Sequence, residues 1–211
     1  PAADMPDEGL VSTIFESMAF LCITNADGTT SGGWLDTDDN RGVAVAAMQV
    51  EDEVVSDFTV HGLSVSARYR LNCTILEKCY TATNSSGQAM PTVALTHYMD
   101  GDLYFGANPS LGNDFGATSL GSPKTLWEFD EGDNPEEPTT FVGNYALHDG
   151  DDFLHSWEIG RYSEQRARIA NSAFGCTELL NNINERMENV DLDGDLITDR
   201  GMDVTMALRY D

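Results

Sequence analysis

The most chemically pointed stretch of the chain is Asp191-Leu192-Asp193-Gly194-Asp195-Leu196-Ile197-Thr198-Asp199-Arg200-Gly201-Met202-Asp203. Counted from Asp191, carboxylates stand at positions 1, 3, 5 and 9. Alternate residues of a tight loop turn inward, and a hard cation such as calcium takes six to eight oxygens at once. The expected ligands are the side chains of Asp191, Asp193, Asp195 and Asp199 and the backbone carbonyl of Ile197. Asp203 supplies a further carboxylate, one residue later than position 12, where Met202 stands. The competing interpretation is an acidic surface turn whose like charges are merely solvated.

This segment resembles the calcium loops of dockerin modules and thrombospondin type 3 repeats. The resemblance covers these thirteen residues and implies a structural calcium ion, not a catalytic one. It departs from the EF-hand pattern at position 6, where Leu196 replaces glycine, and at position 12.

Other residues offer weaker chemistry. Glu128 in Leu126-Trp127-Glu128-Phe129, and Glu158 after Trp157, are carboxylates in aromatic strands. Such settings suit a raised pKa or a sugar-stacking cleft. His61, His97, His148 and His155 form no ligand spacing; His97 and His155 fall on apolar faces by alternation, as core histidines do. The chain has no nucleophile elbow, phosphate loop or dinucleotide fingerprint. Cys22, Cys73, Cys79 and Cys176 form no CxxC pair, which argues against zinc and thioredoxin-like chemistry. Two disulfides are expected, Cys73–Cys79 closing a short loop and Cys22–Cys176 joining two helix ends; four buried thiols are the alternative.

The 211 residues carry a formal charge of −25, from 36 acidic side chains against 11 basic ones. Such a field repels nucleic-acid phosphates and anionic lipid headgroups, so neither is an expected partner. Self-repulsion is relieved by salt or by bound cations. No apolar run nears the roughly 18 residues that span a bilayer. The chain opens into the polar Pro1-Ala2-Ala3-Asp4 rather than a signal-peptide pattern. A mature form and a chain that lost only its initiator Met both fit this start.

The elements that must position these groups form one domain over 1–211. Val11, Ile14, Phe15, Met18, Leu21 and Cys22 recur at helical spacing, predicting a helix over 8–22 that ends before the turn Asn25-Ala26-Asp27-Gly28. An antiparallel β region follows over 41–162. Leu63–Ile75 alternates strictly, and shorter strands are expected at Gly42–Val50, Val54–Thr59 and Thr125–Phe129. Asp100-Gly101 and Asp149-Gly150 sit between alternating segments and predict hairpin turns. Ala107–Lys124 and Asp130–Pro138 read as long surface loops. Over 163–211 come helices at Ser163–Ala173 and Thr177–Asn189, the acidic loop, and a closing strand through Val204, Met206, Leu208 and Tyr210. The fold class is therefore α+β and β-rich, an antiparallel sheet or β-sandwich with an N-terminal helix and C-terminal helices.

These features lead to a non-catalytic, extracellular or particle-surface structural subunit, self-associating and stabilised by calcium. A carbohydrate-binding module using Trp34, Trp127 or Trp157 is one alternative. A secreted polysaccharide hydrolase or lyase is the other.

Overall fold

The computed structural model describes residues 14–35, 48–103, 113–121, 124–134, 138, 140–146, 154–171, 176 and 178–211. In chain order the strands are β1 (Ile14–Thr24), β2 (Thr30–Trp34), β3 (Met48–Val50), β4 (Glu53–Val60), β5 (Leu63–Asn72), β6 (Ile75–Asn84), β7 (Thr92–Gly101), β8 (Phe115–Thr118), β9 (Thr125–Phe129), β10 (Phe141–Tyr145) and β11 (Leu154–Arg161). Helix α1 (Tyr162–Ala170) follows, then β12 (Asn184–Glu185), β13 (Glu188–Asn189) and β14 (Val204–Tyr210).

The central layer is a five-stranded antiparallel sheet ordered β11-β14-β7-β1-β2. Leu21 pairs with Leu95, and Leu95 with Tyr210, so odd positions of β1 and β7 share a face with even positions of β14. Part of that face, carrying Ala19, Leu21 and Ile23, packs against Phe58, Val60, Leu63, Val65 and Ala67 of a second sheet, ordered β3-β4-β5-β6. Further along, Met99, Val204, Met206 and Leu208 meet Leu126 of a three-stranded sheet ordered β10-β9-β8. The opposite face buries Met18, Phe20, Ala94, Tyr98 and Ala207 against Ile169 of α1 and Leu179. The arrangement is sandwich-like, and its centre is apolar on both sides.

That two-sided burial overturns the expected N-terminal helix. Met18 to Ile23 are all buried, three residues facing each way, and the segment is strand. A strand covered on both faces reads as a continuous apolar run without period-two alternation. Residues 8–13 of the expected helix lie outside the described residues.

The expected C-terminal helices are also corrected. The first is present as α1, which ends at Ala170 with Asn171 as its cap; Ser172 and Ala173 lie outside the described residues. Within Thr177–Asn189 the described residues form an extended path and a two-stranded ladder, with Asn184 opposite Asn189 and Glu185 opposite Glu188. Asn181, Arg186 and Met187 take positive φ, which a right-handed helix forbids. Among the described residues the fold is β-rich with one short helix, not α+β with helices at both ends.

Several strand expectations hold. Thr125–Phe129 matches β9, Val54–Thr59 lies within β4, and the closing strand is β14. The Asn25–Gly28 turn joins β1 to β2, with Gly28 at φ 82°. The Asp100-Gly101 hairpin does not form: both residues belong to β7, where Asp100 pairs with Glu16 and Thr205. The segments flanking Asp149-Gly150, itself outside the described residues, join different sheets, β10 with β9 and β11 with β14. Within Ala107–Lys124 runs β8, and in the second expected surface loop Asp130 and Asp133 are buried.

Cys22 and Cys176 form a disulfide with Cα atoms 5.3 Å apart, bridging a separation of 154 residues. It ties central strand β1 to the segment after α1 rather than joining two helix ends. The second expected disulfide is absent, for Cys73 and Cys79 are free and exposed. Cys73 sits in the β5–β6 turn at φ 55°, while Cys79 is drawn up the ladder opposite Arg68. At roughly 3.3 Å per strand residue, that register holds the two thiols well beyond disulfide reach.

Candidate metal centre

The acidic loop is delivered by the β12–β13 ladder, not by a helix. Val190 N–H donates to Ile183 O at 3.2 Å, and Asp199 N–H returns to Val190 O at 2.8 Å, closing the loop at its base. Asp191, Asp193 and Asp195 each bring a carboxylate oxygen within 4.8 Å of the others. Their other contacts are with the loop's own amides. Asp191 Oδ1 accepts from Gly194 N–H at 3.0 Å and Leu196 N–H at 3.4 Å. Asp195 Oδ1 accepts from Ile197 N–H at 2.9 Å, and Asp199 Oδ2 from Leu192 N–H at 2.9 Å.

Leu196 stands where an EF-hand loop uses glycine to turn sharply. Its φ is 72°, so the leucine adopts the left-handed conformation itself. Such a conformation costs a non-glycine residue on the order of 1 kcal/mol and persists only when its surroundings impose it. Here Leu196 O accepts from Thr118 N–H at 3.0 Å, and Thr198 N–H donates to Gly116 O at 2.9 Å. Ile197 bridges to Ala117 in the same stitch, so β8 holds the second half of the loop in place.

Asp203 does not join this group. Continuing the β7–β14 register beyond Asp100–Thr205 sets Asp203 beside Asp102, in a second, internal set of acids. Glu128 and Asp114 reach that set from the inner face of the three-stranded sheet; Asp114 is bridged to Met202, the residue before Asp203. Glu128 is fully buried, and Asp100 and Asp114 nearly so. A Cβ at position 101 would collide with Glu128 Oε1, so the carboxylate lies where Gly101 has no side chain. Neither Glu128 oxygen has a hydrogen-bond partner, nor has Asp100 Oδ1 or Asp114 Oδ1. A buried polar atom left unpaired costs about 1–3 kcal/mol, more if charged.

The electrostatics follow from that crowding. Burial, with Asp114, Asp100, Asp102 and Asp203 around it, pushes the Glu128 carboxyl well above the usual range. Burial pushes Asp100 and Asp114 up to about 8, helped by Asp203 beside Asp100 and by Asp130 beside Asp114. Arg166 opposes the shift at Asp100, and Arg161 does so at Asp203.

The remaining candidates are accounted for by packing. Glu158 is fully buried and paired with Arg168; Leu180 N–H and Asn184 Nδ2 each donate to it at 3.0 Å. This carboxylate is a structural anchor, already saturated. Trp34 is buried against Phe20 and Tyr98, with centroids at 5.3 and 5.7 Å, so it offers no sugar platform. Trp157 lies under Lys124, 4.1 Å from the ring centroid. His97 lies 3.1 Å from Lys78 Nζ and 3.4 Å from Ser17 Oγ, and Lys78 also donates to Ser17. Burial and the Lys78 charge hold this imidazole down to about 3, so it stays neutral and Nε2 can accept a hydrogen bond from the Lys78 ammonium. The trio is a polar pin between β1, β6 and β7. His155 pairs with Glu178 at 2.8 Å and Asp211 at 3.4 Å, His61 occupies the β4–β5 turn at φ 47°, and His148 lies outside the described residues.

No protein-family model, curated protein or solved structure matches the chain. No helix among the described residues is long and apolar enough to cross a membrane.

Of the internal acids, Glu128, Asp203 and Asp100 stand out in the sequence, each for another role, Asp100 as half of an expected Asp-Gly turn. Asp102, Asp114 and Asp130 have no local signal beyond being acids inside or beside apolar strands.

Proposed function

We propose that the protein is a non-catalytic structural subunit of an extracellular or particle surface, stabilised by calcium at the Asp191–Asp199 loop and assembling with copies of itself. The observation that carries this reading is the convergence of Asp191, Asp193 and Asp195 on a loop braced by β8 and by the positive φ of Leu196. An ion there joins the β12–β13 ladder, β8 and the entry to β14. The Cys22–Cys176 bridge supports an oxidising compartment, where structural disulfides persist.

The four-stranded sheet supports self-association. Its inner face, apolar from Phe58 to Tyr69, continues outward through Val54, Leu71 and Leu76, which are 45%, 70% and 50% exposed. An apolar face that overruns its cover marks a contact surface. The saturated Glu158 and the interior Trp34 each take one residue from the hydrolase and carbohydrate readings.

The test is sedimentation and thermal melting in millimolar calcium, then in excess chelator, for the native chain and for Leu71→Lys/Leu76→Lys. Assembly in calcium, lost with the double substitution, and a chelator-induced fall in Tm are expected. A monomer indifferent to both treatments overturns the reading.

A further inference from the structure

We propose a second cation site, inside the protein, where Glu128 and Asp114 of the three-stranded sheet come up to Gly101 at the end of the β7–β14 ladder, with Asp100, Asp102 and Asp203 approaching around that end from the α1 side, and that it takes a calcium-class divalent ion. The site is separate from the Asp191 loop in both residues and burial.

The argument begins with Glu128. On β9 it faces the central sheet together with Leu126, yet it meets a glycine where apolar contact would be expected. Its carboxylate is held over Gly101, between Asp100 and Asp102 in the chain, and neither oxygen finds a donor. Register carries Asp114 to the same inner face, since Gly116 pairs with Glu128 and continuing that register by two residues sets Asp114 beside Asp130. Asp114 Oδ1 and Asp100 Oδ1 are likewise buried and unpartnered.

Two species can neutralise such a group, protons or a metal ion. Protons cancel the charge, but they leave Glu128 as a buried acid with an unmatched O–H and an unmatched carbonyl. A hard cation both cancels charge and coordinates the orphaned oxygens. The donors are all oxygen, which selects calcium or magnesium over softer metals. Three carboxylates of this internal group do not come within 4.8 Å of one another, as those of the loop do. The ion is therefore held by side chains drawn inward, by retained water, or by both, which the flexible coordination of calcium tolerates better than the strict octahedron of magnesium.

The experiment is calorimetric titration of the chelator-stripped full chain with calcium chloride. It compares the native protein, Asp193→Asn/Asp195→Asn, which disables the loop, and Glu128→Gln, which keeps the shape but not the charge. Two equivalents are expected for the native protein and one for each variant, with the loop variant's Tm still raised by calcium. Should Glu128→Gln not fold, the loop variant alone decides by its stoichiometry. A loop variant that binds no calcium overturns the proposal, as does a folded Glu128→Gln that still takes two equivalents. Because the loop is disabled in the deciding variant, failure here is distinguishable from failure of the calcium-loop reading.

Discussion

Glu128 Oε1 fills the space that a side chain at position 101 would occupy, and Gly101 is what allows β9 to lay a carboxylate on β7. The same contact explains why an Asp-Gly pair, the strongest short-range sign of a hairpin, here lies inside a strand. Glycine serves this position through close approach of a neighbouring group, not through its freedom at positive φ.

Gly101→Ala tests that relationship. The new methyl collides with the buried Glu128 carboxylate and is also crowded by Val142. Overpacking of this kind costs typically about 1–3 kcal/mol. Urea denaturation should show a lower midpoint, and Gly101→Ala/Glu128→Ala should recover part of the loss. A fully tolerated single substitution would show that the two strands are free to separate.

The pair of Arg168 with Glu158 makes a different prediction. Arg168→Met leaves Glu158 fully buried with only the Asn184 and Leu180 donors. Removing one partner of a buried pair costs about 3–5 kcal/mol, whereas surface pairs are worth little. The exposed pair of Arg70 and Asp52, at 3.0 Å, is the internal control: Arg70→Met should leave the urea midpoint almost unchanged.

Reduction of Cys22–Cys176 should lower stability by about 2–5 kcal/mol, because the bridge closes a long loop in the unfolded chain. Melting with and without reductant measures this. A thiol reagent applied to the native protein should titrate Cys73 and Cys79 and no others, since both are free and exposed.

The pH dependence of the chelated protein should run opposite to ordinary acid denaturation. Asp100 and Asp114 are raised in the folded state to about 8 from the ordinary 3.8, so between those limits the native chain binds more protons than the unfolded one. Stability then falls as pH rises through this window. His97 acts at the acid end: lowered to about 3 from 6.5, it favours the fold above 6.5 and withdraws that support as pH falls towards 3. Chelated protein should therefore melt at a higher temperature near pH 6 than near pH 8.5. A flat profile there would mean that the internal acids are solvated.

Some of this architecture is legible one residue at a time. Strict alternation from Leu63 marks β5, because one face is packed and the other is wet, and the same holds in shorter form for β9. The spacing of Asp191, Asp193 and Asp195 announces their convergence, because turn chemistry is local. β1 could not be assigned this way. A strand buried on both faces loses its period, and its apolar residues then fit a helical template equally well. The segment after α1 departs from the expected helix for a related reason. Leu179, Ile183 and Val190 are indeed buried, but positive φ at Asn181, Arg186 and Met187 carries them inward along an irregular path.

What the sequence determined by itself is therefore the local material: the alternating strands, the Asn25–Gly28 turn, the acidic loop, the charge and the cysteines able to pair. What tertiary structure decided is which strands lie between two layers, which cysteines meet, and where Asp100, Asp102, Asp114, Glu128 and Asp203 converge. Those acids come from two strand ends and three connections, brought together by sheet order and register. No local preference encodes that meeting, because its effect on each carboxylate exists only once the others, and the exclusion of water, are in place.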